Sequence, residues 1–281
     1  MKLLITGGSG FLGGRAARYF GERYRVLAPT HGALELTDPS AVQSFLERES
    51  PDLVLHCAAV SDTGTCEREP ECSRAINVDG AVYVAKAAGA IGAKCVLCSS
   101  DQVYFGGTQQ SAHREDELLT PKNCYGRQKL EAEERCLAEN PDCVLLRLSW
   151  MYDTRTIREG EHGDFLRNLL PRLRAGEGLS FPVFDRRGIT DVNEVIRNLE
   201  GGFRLSGGVW NFGAPNDCST YELMERVFAR LHLSPSLLER NEQAFADGPR
   251  NLCMDMSRTA EAGIPFASTE EGLVRALKAV L

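Results

Sequence analysis

Nowhere in its 281 residues does the chain carry an unbroken apolar run near the roughly 18 to 20 residues that cross a bilayer, so no membrane role is expected. Basic side chains are in deficit. There are 32 Lys and Arg against 39 Asp and Glu, and the resulting net charge of -7 opposes nucleic acid and anionic surfaces alike. The five histidines form no ligand-spaced cluster, so no metal site is expected. Met1 to Thr6 runs straight into glycines without a cleavable signal pattern, which points to a cytoplasmic protein. Cysteine is the exception to this sparseness, with ten residues scattered through apolar runs. Cys95 and Cys98 look like a C-x-x-C pair, but they lie in the apolar run Lys94 to Cys98, which reads as a strand. Residues three apart on a strand face opposite sides, so the two could not close on one metal. Buried thiols behaving as small hydrophobes are the expectation, and a redox role is the alternative.

With 43% hydrophobic and 25% charged residues the chain has the balance of a globular protein of one large or two modest domains. Over residues 1–150 short apolar runs alternate with helical patterns. Lys2 to Thr6, Arg25 to Ala28, Leu53 to Cys57, Lys94 to Ser99 and Cys143 to Leu148 read as strands. Phe11 to Gly21, Pro39 to Glu49, Ser73 to Gly89 and Tyr125 to Asn140 read as helices, the second opened by Asp38 as N-cap before a first-turn proline. Near-continuous apolar strands separated by helices predict a doubly wound parallel α/β sheet of Rossmann type, covered on both faces. Residues 151–281 are less regular. They begin with the polar stretch Asp153 to Asp164 and end in helices opened by the capping boxes Ser219-x-x-Glu222 and Ser268-x-x-Glu271, with a strand at Val209 to Phe212 between. A smaller C-terminal lobe, mainly substrate-binding and interleaved with the sheet, is the expected arrangement.

Three constellations carry chemistry. Gly7, Gly10 and Gly13 follow the first strand and open the first helix. There a tight turn, close approach of backbone to a pyrophosphate and close helix packing each require glycine, while the helix N-terminus offers free N–H groups to phosphate. The backbone of Phe11 and Leu12 belongs to that cradle. Tyr125 and Lys129 stand four apart on a helix and so share a face, from which a fixed ammonium would bring the phenol towards neutral pH. Such a pair alone is common surface decoration. Ser100 closes the fourth strand, at the carboxyl edge where doubly wound sheets bind ligands, although a serine there is most often an ordinary loop residue.

Taken together, the glycine motif, Cys57-Ala58-Ala59, Asn77-Val78, Ser99-Ser100-Asp101, Tyr125-x-x-x-Lys129 and the run Leu146 to Tyr152 resemble the extended short-chain dehydrogenases/reductases over nearly the whole chain. More narrowly, Ser99 to Gly106 is similar to the Ser-Thr-Asp-Tyr-Val-Phe-Asp-Gly segment of the dTDP-4-dehydrorhamnose reductase branch. The resemblance implies an NAD(P)H-dependent reductase of a nucleotide-linked 4-keto-6-deoxy sugar with Ser100, Tyr125 and Lys129 as catalytic residues. It places Ala58, Ala59 and Asn77 beside the cofactor, Asn77 holding active-site backbone. A homodimer is possible.

Thr30-His31 follows the second strand, where an acid would bind the ribose of NAD and an arginine the 2′-phosphate of NADP. No acid stands there, so a mild preference for NADPH with NADH tolerated is expected, and Glu35-Leu36 is expected beside the adenine. Asp101, Gln102, Trp150 and Arg187 are the candidate substrate residues. Trp150 would pack on the sugar ring unless it is a core indole. Of Arg167, Arg172, Arg174, Arg186 and Arg187, no more than one or two are expected to touch ligand, a solvated helix face being the alternative for each. Two departures concern the sugar: Gln102 replaces the branch's tyrosine, and Arg187-Gly188-Ile189-Thr190 replaces its Gly-x-Pro-Thr. Gln102 also stands where the dehydratases of the wider family carry a glutamate, and an amide has no useful basicity for elimination. An epimerase or dehydratase, and a non-catalytic NADP-binding regulatory subunit like that of methionine adenosyltransferase, remain the alternatives.

Overall fold

The computed structural model describes residues 1–157 and 164–281, so part of the polar stretch between Asp153 and Asp164 lies outside the described residues. The N-terminal part contributes to the large sheet β1 (Lys2–Thr6), β2 (Arg25–Leu27), β3 (Leu53–His56), β4 (Lys94–Ser100) and β5 (Val144–Leu148). Beyond them come β6 (Trp150–Tyr152), β7 (Leu179–Pro182), β8 (Asp185–Arg187), β9 (Ile189–Asp191), β10 (Gly208–Phe212), β11 (Leu238–Asn241) and β12 (Arg250–Leu252). The helices are α1 (Phe11–Phe20), α2 (Pro39–Glu49), α3 (Thr63–Arg68), α4 (Pro70–Arg74), α5 (Ala81–Ala90), α6 (Cys124–Glu139), α7 (Phe165–Ala175), α8 (Val192–Gly202), α9 (Thr220–Leu231), α10 (Ser257–Glu261) and α11 (Thr269–Lys278).

The sheet is parallel throughout, in the order β10-β5-β4-β3-β1-β2. Alternation along its strands decides which face each side chain covers. Leu3, Ile5, Leu53, Leu55 and Val96 pack under α1 and α8, whereas Leu4, Val54, Cys95 and Leu97 pack under α2, α5 and α6. Both faces are therefore buried, the condition under which a purely parallel sheet is stable. Alanines 81, 85, 87 and 88 let α5 lie close on the second face. The C-terminal part does not stand apart, because β10 is the edge strand of the large sheet and α8 packs on α1. Its remaining strands pair in twos, β6 with β9, β7 with β11 and β8 with β12, around a core of Phe165, Leu166, Leu169, Tyr221, Met224 and Leu273.

Several expected boundaries move. The helix expected over Ser73 to Gly89 is instead α4, a π-helical turn over Ala75–Gly80, and α5. Periodicity at 3.6 cannot register the wider turn, which exists to place Asn77 against two other segments. The strand expected to Ala28 stops at Leu27, that expected to Cys57 stops at His56, and that expected to Ser99 reaches Ser100. The Asp38 cap and both capping boxes form as expected. Among the described residues no helix is long and apolar enough to cross a membrane.

Helix α6 is tied to the sheet by charge. Glu133, in its middle, accepts from Arg147 Nε at 3.0 Å and Nη2 at 2.6 Å and from the Ser99 hydroxyl, and both ionic side chains are buried. Arg147 also donates to the Tyr104 hydroxyl at 2.8 Å, and Tyr104 donates to Asn211 at 2.7 Å. Removing one member of a buried ion pair leaves the other without a counter-charge. Glu133→Ala is therefore expected to cost about 3 to 5 kcal/mol, measurable as a lower midpoint in urea unfolding, with Glu133→Gln losing less because the amide oxygen still accepts.

Candidate active site

The glycine turn is fixed by sterics. Gly7 has φ +68°, and a Cβ there would lie 2.6 Å from the backbone nitrogen of Ala58, while one at Gly13 would lie 2.3 Å from the Gly7 carbonyl oxygen. The Gly10 amide donates to the Gly7 carbonyl at 2.8 Å and closes the turn. Having no side chain, Gly10 cannot cap α1, and the first turn of the helix has no acid to compete with an anion. This cradle at a helix N-terminus fits the pyrophosphate of a dinucleotide. The Leu12 side chain is buried in the core, leaving only its backbone to face the cradle. Phe11 is covered by the Arg15 guanidinium, 4.1 Å from the ring centroid. Arg15 also donates to Asp153 at 2.6 Å and to the Arg155 carbonyl at 3.0 Å, tying the turn to the segment after β6.

Along the rim, His31 is exposed and lies 3.6 Å from Glu35. Glu35 accepts from the Thr37 backbone and hydroxyl, bonds that draw its carboxyl below the usual range. Thr30 carries the turn between, its carbonyl accepting from the amides of Ala33 and Leu34, and the Leu36 carbonyl approaches Gly80 at the end of the π turn. Ala58 and Ala59, just past β3, are half-buried opposite Gly7. Asn77 is buried and clamps the chain that follows them: its oxygen accepts from the Val60 amide at 2.8 Å, and its nitrogen donates to the Val60 carbonyl at 3.0 Å and to Gln128 on α6 at 2.8 Å.

Ser100, Tyr125 and Lys129 converge at the carboxyl edge of β4. Ser100 ends the strand and caps the 3-10 turn Asp101–Tyr104, accepting from the Gln102 amide at 3.2 Å and donating to Asp101 at 3.2 Å. Asn123 caps α6 through the Gly126 amide at 2.7 Å and donates to the Gln102 side chain at 2.8 Å. Gln102, expected to face substrate, thus spends its side chain bracing the helix that carries Tyr125. Gly126 permits the approach, since a Cβ there would meet the Gln102 carbonyl at 2.4 Å.

The electrostatics correct one expectation. The phenol is not brought down on balance: burial outweighs the Lys129 ammonium, which lies 5.7 Å from the Tyr125 ring centroid and donates to the Cys98 carbonyl at 2.9 Å. Burial pushes the Tyr125 hydroxyl above its usual range and the Asp101 carboxylate adds to this, while a hydrogen bond with Ser100 works the other way. Burial also lowers Lys129 and drives His56 down to about 3, so that the imidazole, 2.8 Å from the Thr6 hydroxyl, is neutral.

Across the cleft Arg187 donates to Asp101 at 3.0 Å and lies 5.0 Å from the Trp150 ring centroid. Trp150 is 40% exposed, so it is no core indole. The other arginines are engaged elsewhere: Arg167 with Asp164, Arg172 with Glu177, Arg174 with the Val280 carbonyl, and Arg186 with the carbonyls of Gln110 and Asp217. Asn123, Gln128, Arg15 and Glu133 escape sequence reasoning, because their roles depend on partners distant along the chain. Only Asn123, an N-cap type ahead of a helical pattern, carries a local signal. Among the described residues no cluster of ligating side chains could hold a metal.

Comparison with known proteins agrees with this geometry. The chain is 28% identical to a dTDP-4-dehydrorhamnose reductase of Mycolicibacterium smegmatis, covering 100% of this chain and 86% of that protein. It is 33% identical to methionine adenosyltransferase 2 subunit beta of Bos taurus, covering 94% and 83%. The crystal structure of a dTDP-4-dehydrorhamnose reductase from Bacillus anthracis in complex with NADP superposes with a TM-score of 0.84 at 22% identity, over 99% of both chains. The family described as RmlD substrate binding domain matches residues 1–281. With the glycine cradle, the doubly wound sheet and the match over its full length in agreement, this chain belongs to the RmlD family of extended short-chain dehydrogenases/reductases.

Proposed function

We propose that the protein reduces the keto group of a nucleotide-linked 4-keto-6-deoxy sugar, with NADPH preferred over NADH. The observation that carries this reading is the convergence of Ser100, Tyr125 and Lys129 beside a glycine cradle, three groups that carbonyl reduction needs and that a purely binding module does not. The similarity to reductases supports the substrate class. The nicotinamide, when bound, supplies the hydride.

The chain's own residues handle the oxygen and its proton. Tyr125, kept neutral by burial and by Asp101, holds a proton to give to the nascent alkoxide. Ser100 turns its hydroxyl from Asp101 to the carbonyl oxygen. Lys129, anchored on the Cys98 carbonyl, places a positive charge beside the phenolate left behind. Arg187 balances the Asp101 charge and, with Trp150, forms the wall on which a sugar would rest. Elimination lacks its base, because Gln102 is an amide already engaged with Asn123. The likeness to the methionine adenosyltransferase subunit favours one second reading, a regulatory NADP-binding subunit.

A panel of nucleotide 4-keto sugars with NADPH tests the proposal. Cofactor oxidation is expected with at least one dTDP-4-keto-6-deoxy sugar, and no water loss from dTDP-glucose. No reduction across the panel would favour the regulatory reading. Tyr125→Phe is expected to lower kcat by about 10² to 10⁴ while cofactor binding, followed by calorimetry, survives.

Asp101 raises the Tyr125 pKa, so removing its charge lowers it, and the proton donor is then lost at lower pH. In Asp101→Asn the basic limb of the kcat profile is accordingly expected to move to lower pH. For cofactor choice, kcat/KM is expected to favour NADPH modestly. His31→Glu should reverse the order, by replacing the imidazole with a carboxylate that repels a 2′-phosphate and accepts from a ribose hydroxyl.

A further inference from the structure

Cys57 and Cys98 stand towards the carboxyl ends of β3 and β4. They lie one step beyond the register pair His56 and Leu97 of the adjacent strands β3 and β4, and their sulfurs are 3.7 Å apart. Both side chains lie on the sheet face that carries α1, and both are half-buried rather than sealed. A second close pair, Cys95 and Cys143, lies in the core of the opposite face, where each is buried. Cys98 differs from the other thiols in its surroundings. A hydrogen bond from the Cys57 thiol and the nearby Lys129 ammonium favour its thiolate against the cost of burial, whereas Cys57 is pushed up.

We propose that Cys57 and Cys98 form a reversible dithiol–disulfide couple that a peroxide closes and that competes with dinucleotide binding. The inference rests on the reading of this cleft as the cofactor site. The Cys98 thiolate attacks hydrogen peroxide; the O–O bond breaks, an S–O bond forms, and hydroxide leaves. The Cys57 sulfur then attacks the Cys98 sulfenic sulfur, forming the S–S bond and expelling the oxygen as hydroxide, which takes up the Cys57 proton as water. Two thiols lose two electrons and two protons, and one peroxide becomes two waters.

Closure draws the sulfurs from 3.7 Å to a bond of about 2.05 Å. It pulls together two backbone segments that have no slack. The carbonyl carbon of Cys57 and the nitrogen of Ala58 would lie 2.8 and 2.6 Å from a Cβ at Gly7, and the Cys98 carbonyl is the anchor of Lys129. The cradle turn and the Lys129 ammonium both shift when the bond forms, so a bound dinucleotide and the disulfide oppose each other.

The reduced protein is treated with hydrogen peroxide, with and without NADP⁺, and its peptides are mapped by mass spectrometry without reduction. A peptide joining Cys57 to Cys98 is expected in the free protein, removed by dithiothreitol and suppressed by NADP⁺. Calorimetry of the oxidised protein is expected to show NADP⁺ binding about tenfold weaker. In Cys98→Ser, and separately in Cys57→Ser, peroxide should leave the affinity unchanged. Exposed Cys72 is the internal control. Oxidation of Cys72 without the Cys57–Cys98 link would overturn the proposal, as would the link forming with unchanged affinity, or Cys95–Cys143 linking instead. If the reduced protein bound no NADP⁺ at all, the cofactor reading would fail, while the peptide map would still decide the dithiol.

Discussion

The buried pair of Glu133 and Arg147 is the tie on which the site depends. Tyr125, Lys129 and Glu133 stand at four-residue intervals on α6, so they share one face and move as a unit. Glu133 ties that face to two strands, through Arg147 on β5 and Ser99 on β4, and Lys129 adds a bond to the Cys98 carbonyl. Ser99 is next to Ser100, so the bond that seats the helix also sets the distance between the phenol and the hydroxyl it works with. Two charges away from water are costly, and several hydrogen bonds offset that cost here. The other end of α6 is held by Asn123 and Gln102. The helix is pinned at both ends of its reactive face.

Much of this was legible in the sequence wherever a role depends on neighbours along the chain. The glycines of the cradle, the four-residue spacing of Tyr125 and Lys129, the capping boxes and the alternating faces of the strands are local, and each appears where its pattern placed it. What the pattern missed depends on contact between distant segments. The place of Gln102 in the motif points to substrate, and nothing local reveals its bond to Asn123, 21 positions away. The Tyr125 hydroxyl was expected to fall because Lys129 is its helical neighbour, yet burial and the Asp101 charge raise it. Desolvation has no local signature in a sequence, so shifts of this kind are legible only in the folded chain.

The C-terminal part shares the construction of the nucleotide half. β10 completes the large sheet and α8 covers α1, so the C-terminal part shares the core under the cradle helix. The 86-residue span between Asp101 and Arg187 closes with a single ion pair. That contact joins the residue after Ser100 to the segment Arg187 to Thr190, where the sequence departs from the branch's Gly-x-Pro-Thr. One carboxylate there both pairs with Arg187 and raises the Tyr125 hydroxyl.

The π-helical turn at Ala75–Gly80 has a consequence for how this chain can change length. A wide turn is an α-helix carrying an additional residue. Deleting one residue of Ala75–Gly80 other than Asn77 would restore ordinary helical winding. It also rotates Asn77 by about 100° relative to one flanking helix. The clamp would then lose its alignment with Val60 or with Gln128. Most helix surfaces accept small variation in length by sliding or fraying at an end, but here the count of residues between Pro70 and Ala90 is itself a structural quantity, as fixed as the identity of the asparagine.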